Sequence, residues 1–378
     1  MKILMISHSY AVALNRRLCR EVARAGGDGV AVTVAAPAFY RGDLRRIALE
    51  HLVGEPYALE AVPVWFSSVP HVFLYGSRLR ALLDGPWDVV HAWEEPYILA
   101  GGQIARATRP GANLIYSSFQ NQPKRYPPPF CWVERYCLER AAGWTAFGQT
   151  VADTLKDRPG YREKPMRTIP LGVDLDVFRP DAEARRRVLG ELGWSEPGPP
   201  VVGYLGRFVP EKGLGLLMRA LERLPPSSWR AMFVGGGQLE SELRAWACRY
   251  SDRARVVTGV PHDAVPAYLN AMDLLAAPSQ TTSRWREQLG RMLLEAMATG
   301  VPIVASDSGE IPHVVAGAGR IVSERDLDAW VAALRKLLDN PAPRSDLRER
   351  GLARARDVFA WPHVARQYLD FFRELSDL

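Results

Sequence analysis

The chain has 378 residues, 47% hydrophobic and 24% charged, enough for two domains at roughly 100–200 residues each. No stretch approaches about 18 uninterrupted apolar residues, which excludes a membrane-spanning helix, and Met1–Ile6 is too short and too soon polar for a secretory signal. Cys19, Cys131, Cys137 and Cys248 lie in no zinc-like spacing, so free thiols in a reducing cytoplasm are expected. The net charge of +6 sits wholly in residues 1–170, with 21 Lys+Arg against 15 Asp+Glu, and 42 of the 48 basic residues are Arg. An Arg-rich face, densest over 16–46, suits a phosphorylated acceptor or an anionic membrane, and equally an ordinary solvated surface. Nucleic acid is not expected, because no basic run carries interleaved aromatics.

Short apolar runs alternate with helical patterns from end to end. Lys2–Ile6, Val30–Ala35, Asp88–His91, Asn113–Tyr116 and Trp144–Phe147 read as buried strands, with amphipathic stretches at Val12–Ala25, Ile98–Ala107 and Pro129–Ala142 between them. Met166–Pro170 reads as a last strand of this half. A hinge near 165–200 follows, carrying the charged segment Pro180–Leu192 and the turn-rich run Ser195–Pro200. A second series, Val201–Leu205, Arg230–Val234, Arg255–Thr258, Leu274–Ala276 and Ile303–Ser306, leads to a tail helix, Pro362–Leu375, with an apolar stripe of Tyr368, Phe371 and Phe372. Strands alternating with helices predict parallel sheets covered on both faces, and two series predict two doubly wound domains. Ligands of such sheets bind beyond the carboxyl ends of the strands, so a cleft between the domains is the expected active site.

Three motifs lie at strand ends of the second half. In Gly203-Tyr204-Leu205-Gly206-Arg207-Phe208-Val209-Pro210-Glu211-Lys212-Gly213 a strand ends in glycine and a helix begins near Gly213. Arg207 and Lys212 are cationic donors for phosphate oxygens, and the helix start adds unpaired N–H groups. A solvated surface loop is the alternative. In Arg286–Gly300 a helix is predicted from near Glu287 to Gly300, carrying Glu287 and Glu295 eight residues apart. On one helix these carboxylates would stand about 12 Å apart along the axis, whereas retaining glycosidases need about 5–5.5 Å. Separate jobs follow: Glu287 at the helix start, Glu295 two turns in as a hydroxyl acceptor, with the N–H groups of Leu289 and Gly290 free to face a diphosphate. The alternative is a packed helix with two solvated Glu. Gly235-Gly236-Gly237 admits either a close ligand or a plain turn.

Together these residues resemble retaining glycosyltransferases of the GT-B fold, family 4. The likeness rests on Gly206-Arg207 with Glu211-Lys212-Gly213, on Glu287 and Glu295, and on Glu295-Ala296-Met297-Ala298-Thr299-Gly300-Val301-Pro302. Ser306–Pro312 and Ile169–Asp174 with Phe178 and Pro180 extend it. It covers most of 165–320. It implies an α/β GT-B fold of two Rossmann-like doubly wound domains facing a central cleft. The first, 1–170 plus the crossing-back helix 360–378, would bind the acceptor; the second, 171–359, the nucleotide sugar. It further implies transfer of a hexosyl unit from a UDP- or GDP-sugar to an acceptor hydroxyl, with retention. The acceptor class, whether sugar, lipid-linked or small molecule, stays open. Arg207 and Lys212 would neutralise the leaving diphosphate beside Gly206, Glu287 would contact the donor sugar and Glu295 the ribose, Val260 would lie near the base, and Gly309 and Glu310 near the sugar. No tightly bound cofactor and no metal is implied, and the seven His show no ligand spacing.

The first half departs from this family. Its first loop, Ser7-His8-Ser9-Tyr10-Ala11-Val12-Ala13-Leu14, lacks the expected Gly-Gly pair. Asp88–Pro96 resembles the family's strand ending in a His-rich loop; there His91 is a core or a contact residue, and Glu94 and Glu95 are expected to open towards acceptor hydroxyls. Gln120, followed by Asn121, stands where many relatives have a histidine; an amide donates the same hydrogen bond but cannot change charge. A non-catalytic sugar-nucleotide binder and a nucleotide-sugar epimerase are the competing readings.

Overall fold

The computed structural model describes residues 1–41 and 46–377. Arg45, one of the arginines of 16–46, lies outside them. The chain forms two compact units, Met1–Leu171 with Trp361–Leu378, and Gly172–Ala360. In unit 1 the sheet strands are β1 (Lys2–Ile6), β2 (Ala31–Pro37), β3 (Ala58–Val62), β4 (Val89–Ala92), β5 (Asn113–Ser118), β6 (Gly143–Ala146) and β7 (Met166–Thr168). They are parallel, in the order β7-β6-β5-β4-β1-β2-β3, with β1 pairing Lys2 with Ala31 on one side and Ile3 with Val89 on the other. Ile3, Leu4, Met5 and Ile6 are all buried, as a strand covered on both faces requires. The edge strand β3 escaped the sequence reading: Ala58-Leu59-Glu60-Ala61-Val62 offers no continuous apolar run because one side of an edge strand meets solvent.

The final helix, Trp361–Ser376, belongs to unit 1. Its Val364, Tyr368, Phe371 and Phe372 are buried in the cluster that contains Ile3, Val34, Val89 and Ile115, which is where the stripe packs. The stretch Val12–Ala25 is not one helix. Two tight turns, His8–Ala11 and Ala13–Arg16, precede a helix at Arg17–Gly26. The reason is local: Ser7 Oγ accepts from the Ser9 N–H, Glu50 Oε2 accepts from the Ala13 N–H, and the buried Arg16 guanidinium donates to the carbonyls of Tyr10 and Glu50. These bonds fold the segment inward before a regular helix can start.

In unit 2 the strands are β8 (Val201–Arg207), β9 (Arg230–Gly236), β10 (Ala254–Val257), β11 (Leu274–Ala277), β12 (Ile303–Ser306) and β13 (Arg320–Val322), all parallel in the order β10-β9-β8-β11-β12-β13. Trp229, Phe233, Trp246 and Trp330 fill one core, with Trp229 and Trp246 stacked at 6.1 Å. Each unit therefore repeats one winding scheme, and in each the strand order reverses beside the first strand, between β1 and β4 and between β8 and β11. At such a switch point neighbouring loops diverge and leave a crevice for a ligand. No helix among the described residues is long and apolar enough to cross a membrane.

Candidate active site

In unit 2 the loops leaving β8 and β11 meet at the switch point. Lys212 ends a short turn, Pro210–Lys212, and Gly213 follows with φ 70°. A Cβ at Gly213 would stand 1.8 Å from the Pro278 carbonyl oxygen, so glycine is what lets this loop lie against the end of β11. The Gln280 N–H donates to the Glu211 carbonyl at 2.8 Å and ties the two loops. That approach puts Lys212 Nζ 2.5 Å from Glu287 Oε2, and Ser279 Oγ donates to the same oxygen at 2.8 Å. The Trp285 ring centre lies 4.8 Å from the ammonium. Lys212 and Glu287 side chains are 11% and 7% exposed, so this is an ion pair in low dielectric rather than a solvated surface contact.

The predicted helix from Glu287 to Gly300 needs correction. The helix runs Arg291–Thr299, with Gly290 at φ 75° as its N-cap. Left-handed backbone at Gly290 ends the helical path, so Glu287 lies in the preceding loop and the spacing of about 12 Å along a shared axis does not apply. Glu287 is held instead through its carbonyl, which accepts from the Glu310 N–H at 3.0 Å, and by Gly309, whose added Cβ would fall 2.1 Å from that oxygen. Gly309, Glu310, Glu287 and Lys212 are thus brought together. Leu289 and Gly290 lie immediately before the helix, whose first-turn N–H groups have no intrahelical partner.

Glu295 is buried on this helix, with His262 Nε2 3.2 Å from its Oε1. Both Glu287 and Glu295 are buried, which removes the alternative of two solvated Glu. Val260 is partly exposed, two residues before His262 in the loop after β10. Arg207 is exposed at the end of β8, where its carbonyl accepts from Tyr204 Oη at 2.7 Å. Burial and the Glu287 charge push the Tyr204 phenol well above its ordinary range. Two of the three glycines have a structural explanation, while a Cβ at Gly236 would meet no atom within 4 Å. A Cβ at Gly235 would lie 1.8 Å from the Gly206 carbonyl oxygen, and one at Gly237 would lie 2.6 Å from that of Phe208. They accommodate the neighbouring chain.

In unit 1 the corresponding switch point holds a carboxylate and an imidazole. The Glu94 side chain is fully buried and accepts from the His8 N–H, from His8 Nδ1 at 2.7 Å and from Tyr75 Oη at 2.7 Å. Glu94 therefore points inward and does not open to solvent as expected; the residue presented there is His8. Glu95 also turns in, its carboxylate taking the Ser118 hydroxyl and the Phe119 N–H, each at 2.7 Å. Burial pushes the Glu95 carboxyl up to about 7, against the two hydrogen bonds that favour its charged form. His91 lies in the core, its Nε2 2.8 Å from Ser117 Oγ and its ring against Tyr368 and Phe372, and burial lowers it to about 3. It reaches no surface of the unit. Gln120 and Asn121 are buried after β5; Gln120 Nε2 donates to the Gln122 carbonyl, and the Asn121 carbonyl accepts from Thr154 Oγ1.

Sequence reasoning missed Ser279, Trp285, His262 and His8. Lys212 and Trp285 are joined only by the packing of two loops, and no spacing signals such a pair. His8 was legible as a polar residue in the loop after β1. Among the described residues no group of three or more His, Cys, Asp or Glu is placed to hold a metal.

Two parallel Rossmann-like units, one closed by the final helix, define the GT-B class of α/β glycosyltransferase folds. The fold of Anabaena Alr3699/HepE, solved with UDP-glucose, matches with TM-score 0.74 at 19% identity over 99% of this chain and 100% of that one. Residues 194–354 match the family model described as Glycosyl transferases group 1, and residues 12–177 that of Glycosyltransferase Family 4. The lipopolysaccharide core biosynthesis mannosyltransferase LpsB of Rhizobium meliloti is 31% identical over 62% of this chain and 70% of its own. The chain belongs to the group 1, family 4 glycosyltransferases. A GDP-mannose-dependent alpha-(1-6)-phosphatidylinositol monomannoside mannosyltransferase of Mycolicibacterium smegmatis is 34% identical over 61% of this chain and 58% of that protein. The matched part is about three fifths of that relative's length.

Proposed function

We propose that the protein transfers a hexosyl unit from a UDP- or GDP-linked sugar to an acceptor hydroxyl, with retention at the anomeric carbon. The observation that carries this reading is the buried Lys212–Glu287–Ser279 group at the switch point of unit 2. As the sugar departs, the bond pair stays with the nucleoside diphosphate and negative charge grows on its phosphate. Lys212 and Arg207 stabilise that charge, and so do the backbone N–H groups of Leu289 and Gly290 just before the helix. Stabilisation that is greatest as the charge develops lowers the barrier. In the resting site Glu287 holds Lys212 in place; with donor bound its carboxylate receives a sugar hydroxyl. Glu295 takes the ribose, and Val260 borders the base. The acceptor attacks from the face the diphosphate leaves, and a phosphate oxygen receives its proton. This assignment uses no metal. Relatives whose names specify GDP-mannose, and a fold match solved with UDP-glucose, support a nucleotide-sugar donor without choosing the base.

A calorimetric panel of UDP, GDP, ADP and their hexose conjugates tests the reading. One base is expected to bind, and Lys212→Ala or Arg207→Ala to abolish slow donor hydrolysis; a protein that binds none of them sinks the proposal. Donor binding without any hydrolysis would favour the non-catalytic binder instead.

We also infer a cytoplasmic protein in peripheral contact with an anionic membrane. Phe39, Trp65 and Phe66 are exposed in unit 1, and Phe66 is 68% exposed at φ 58°. The Arg41 N–H donates to Ser67 Oγ, which joins their two segments, and Arg46 lies over the Phe39 ring at 4.4 Å. Exposed aromatics beside arginines suit an anionic interface. Co-sedimentation with phosphatidylglycerol vesicles should fall with added salt and with W65S; absence of any binding at low salt refutes the assignment.

A further inference from the structure

The function proposed above uses unit 2 for the donor and leaves the switch point of unit 1 without a task. That crevice, between β1 and β4, is where an open parallel sheet receives a ligand. In place of a glycine-rich loop that would bring backbone close to the ligand, this chain puts His8 two residues after the end of β1. The imidazole is held with unusual completeness. Glu94 binds both its Nδ1, at 2.7 Å, and its backbone N–H, and Tyr75 Oη fixes Glu94 from behind at 2.7 Å. Tyr40 and Phe73 flank the ring at 4.9 and 5.4 Å and stand edge to face with each other at 6.0 Å. The His8 side chain stays 34% exposed, while the carboxylate behind it is fully buried.

A carboxylate on Nδ1 keeps a proton there, and against the opposing effect of burial the same anion raises the imidazole above its ordinary value, so Nε2 accepts a hydrogen bond when the ring is neutral and donates one when it is charged. A buried carboxylate that served only the fold would not need to orient a half-exposed ring. Phe73 is fully buried behind the ring, and the partly exposed Tyr40 beside it presents apolar surface that suits the C–H face of a pyranose.

We propose that His8 is an acceptor-binding residue, whose Nε2 hydrogen-bonds a hydroxyl of a saccharide acceptor seated against Tyr40. Glu94 and Tyr75 are its positioning residues. The proposal rests on the transfer reading, and it names the acceptor class as a neutral sugar.

The test uses the full chain and needs no knowledge of the natural acceptor. Diethyl pyrocarbonate acylates exposed imidazole nitrogen, and peptide mapping follows His8 with the exposed His51 as internal control. The probes are methyl α-D-glucopyranoside, methyl α-D-mannopyranoside and inorganic phosphate. At least one glycoside should slow acylation of His8 several-fold and leave His51 unchanged. Glu94→Gln should weaken that protection, because the ring loses the anion that holds it. Unchanged acylation of His8 with both glycosides overturns the proposal, and protection by phosphate alone overturns the neutral-sugar class. The wild-type comparison decides the matter even if Glu94→Gln fails to fold. Nucleotide binding measured on the same preparation separates the two claims: its absence refutes the transfer reading, whereas its presence with an unprotected His8 refutes only this one.

Discussion

Gly309→Ala should damage the site without touching a charged group. Gly309 sits at φ 55°, and an added Cβ would lie 2.1 Å from the Glu287 carbonyl oxygen and 2.9 Å from its carbon and nitrogen. All three are backbone atoms, so no side-chain rotation relieves the contact. Reaching an ordinary separation requires Glu287 to move by about 1 Å, and displacements of that size at a catalytic group cost about 10²-fold in rate. Left-handed backbone adds roughly 1 kcal/mol for alanine, and overpacking about 1–3 kcal/mol. The sum, about 2–4 kcal/mol, corresponds to a melting shift on the order of 10 °C for a unit of this size. Gly317→Ala is the matched control: its φ is 84°, but no atom lies within 4 Å of the added Cβ. It should show the smaller, conformational cost alone, with nucleotide affinity unchanged. Calorimetric melting and nucleotide titration of both variants provide the assay. If Gly309→Ala matches Gly317→Ala in both, Glu287 is not held as described.

Lys212→Met leaves the Glu287 carboxylate buried beside Ser279 with its cation gone, and should cost about 3–5 kcal/mol by urea unfolding; the double variant with Glu287→Gln should recover much of it, and additive losses would contradict the pairing. Glu295→Ala should weaken nucleotide binding, and unchanged affinity would remove its ribose role. For Glu95 the folded pKa of about 7 exceeds the ordinary 4.5, so its stabilisation is complete below 4.5 and is lost as pH rises through about 7. At most about 3 kcal/mol is involved. Glu95→Gln should therefore gain on wild type as pH climbs from 4.5 to 8 in denaturant titrations, and parallel curves would refute a buried, raised carboxyl. Phe372→Ala should destabilise unit 1 by about 3–5 kcal/mol with nucleotide affinity retained; a change in affinity would mean that the final helix does more than pack.

Most strands were legible because their residues are buried on both faces: Lys2–Ile6 and Ile303–Ser306 fall where the apolar runs place them. Two edge strands, Ala58–Val62 and Arg320–Val322, were not legible, since they meet solvent on one side and mix polar with apolar residues. The helix at Glu287 was misread for a related reason. Helical spacing continues through Gln288 and Leu289, and only the left-handed turn at Gly290 stops it. A glycine in sequence does not declare the sign of its φ.

Composition and local pattern alone determined the two-part α/β architecture, the family likeness and the choice of Arg207, Lys212, Glu287 and Glu295 as candidate site residues. These depend on interactions between residues close in the chain, or on burial that every strand registers independently. Tertiary structure decided which charges meet: Lys212 with Glu287 across 75 positions, and His8 with Glu94 across 86. Such pairs exist because strands far apart in sequence lie side by side in a sheet. Loop contacts between them depend on distances that no residue order encodes.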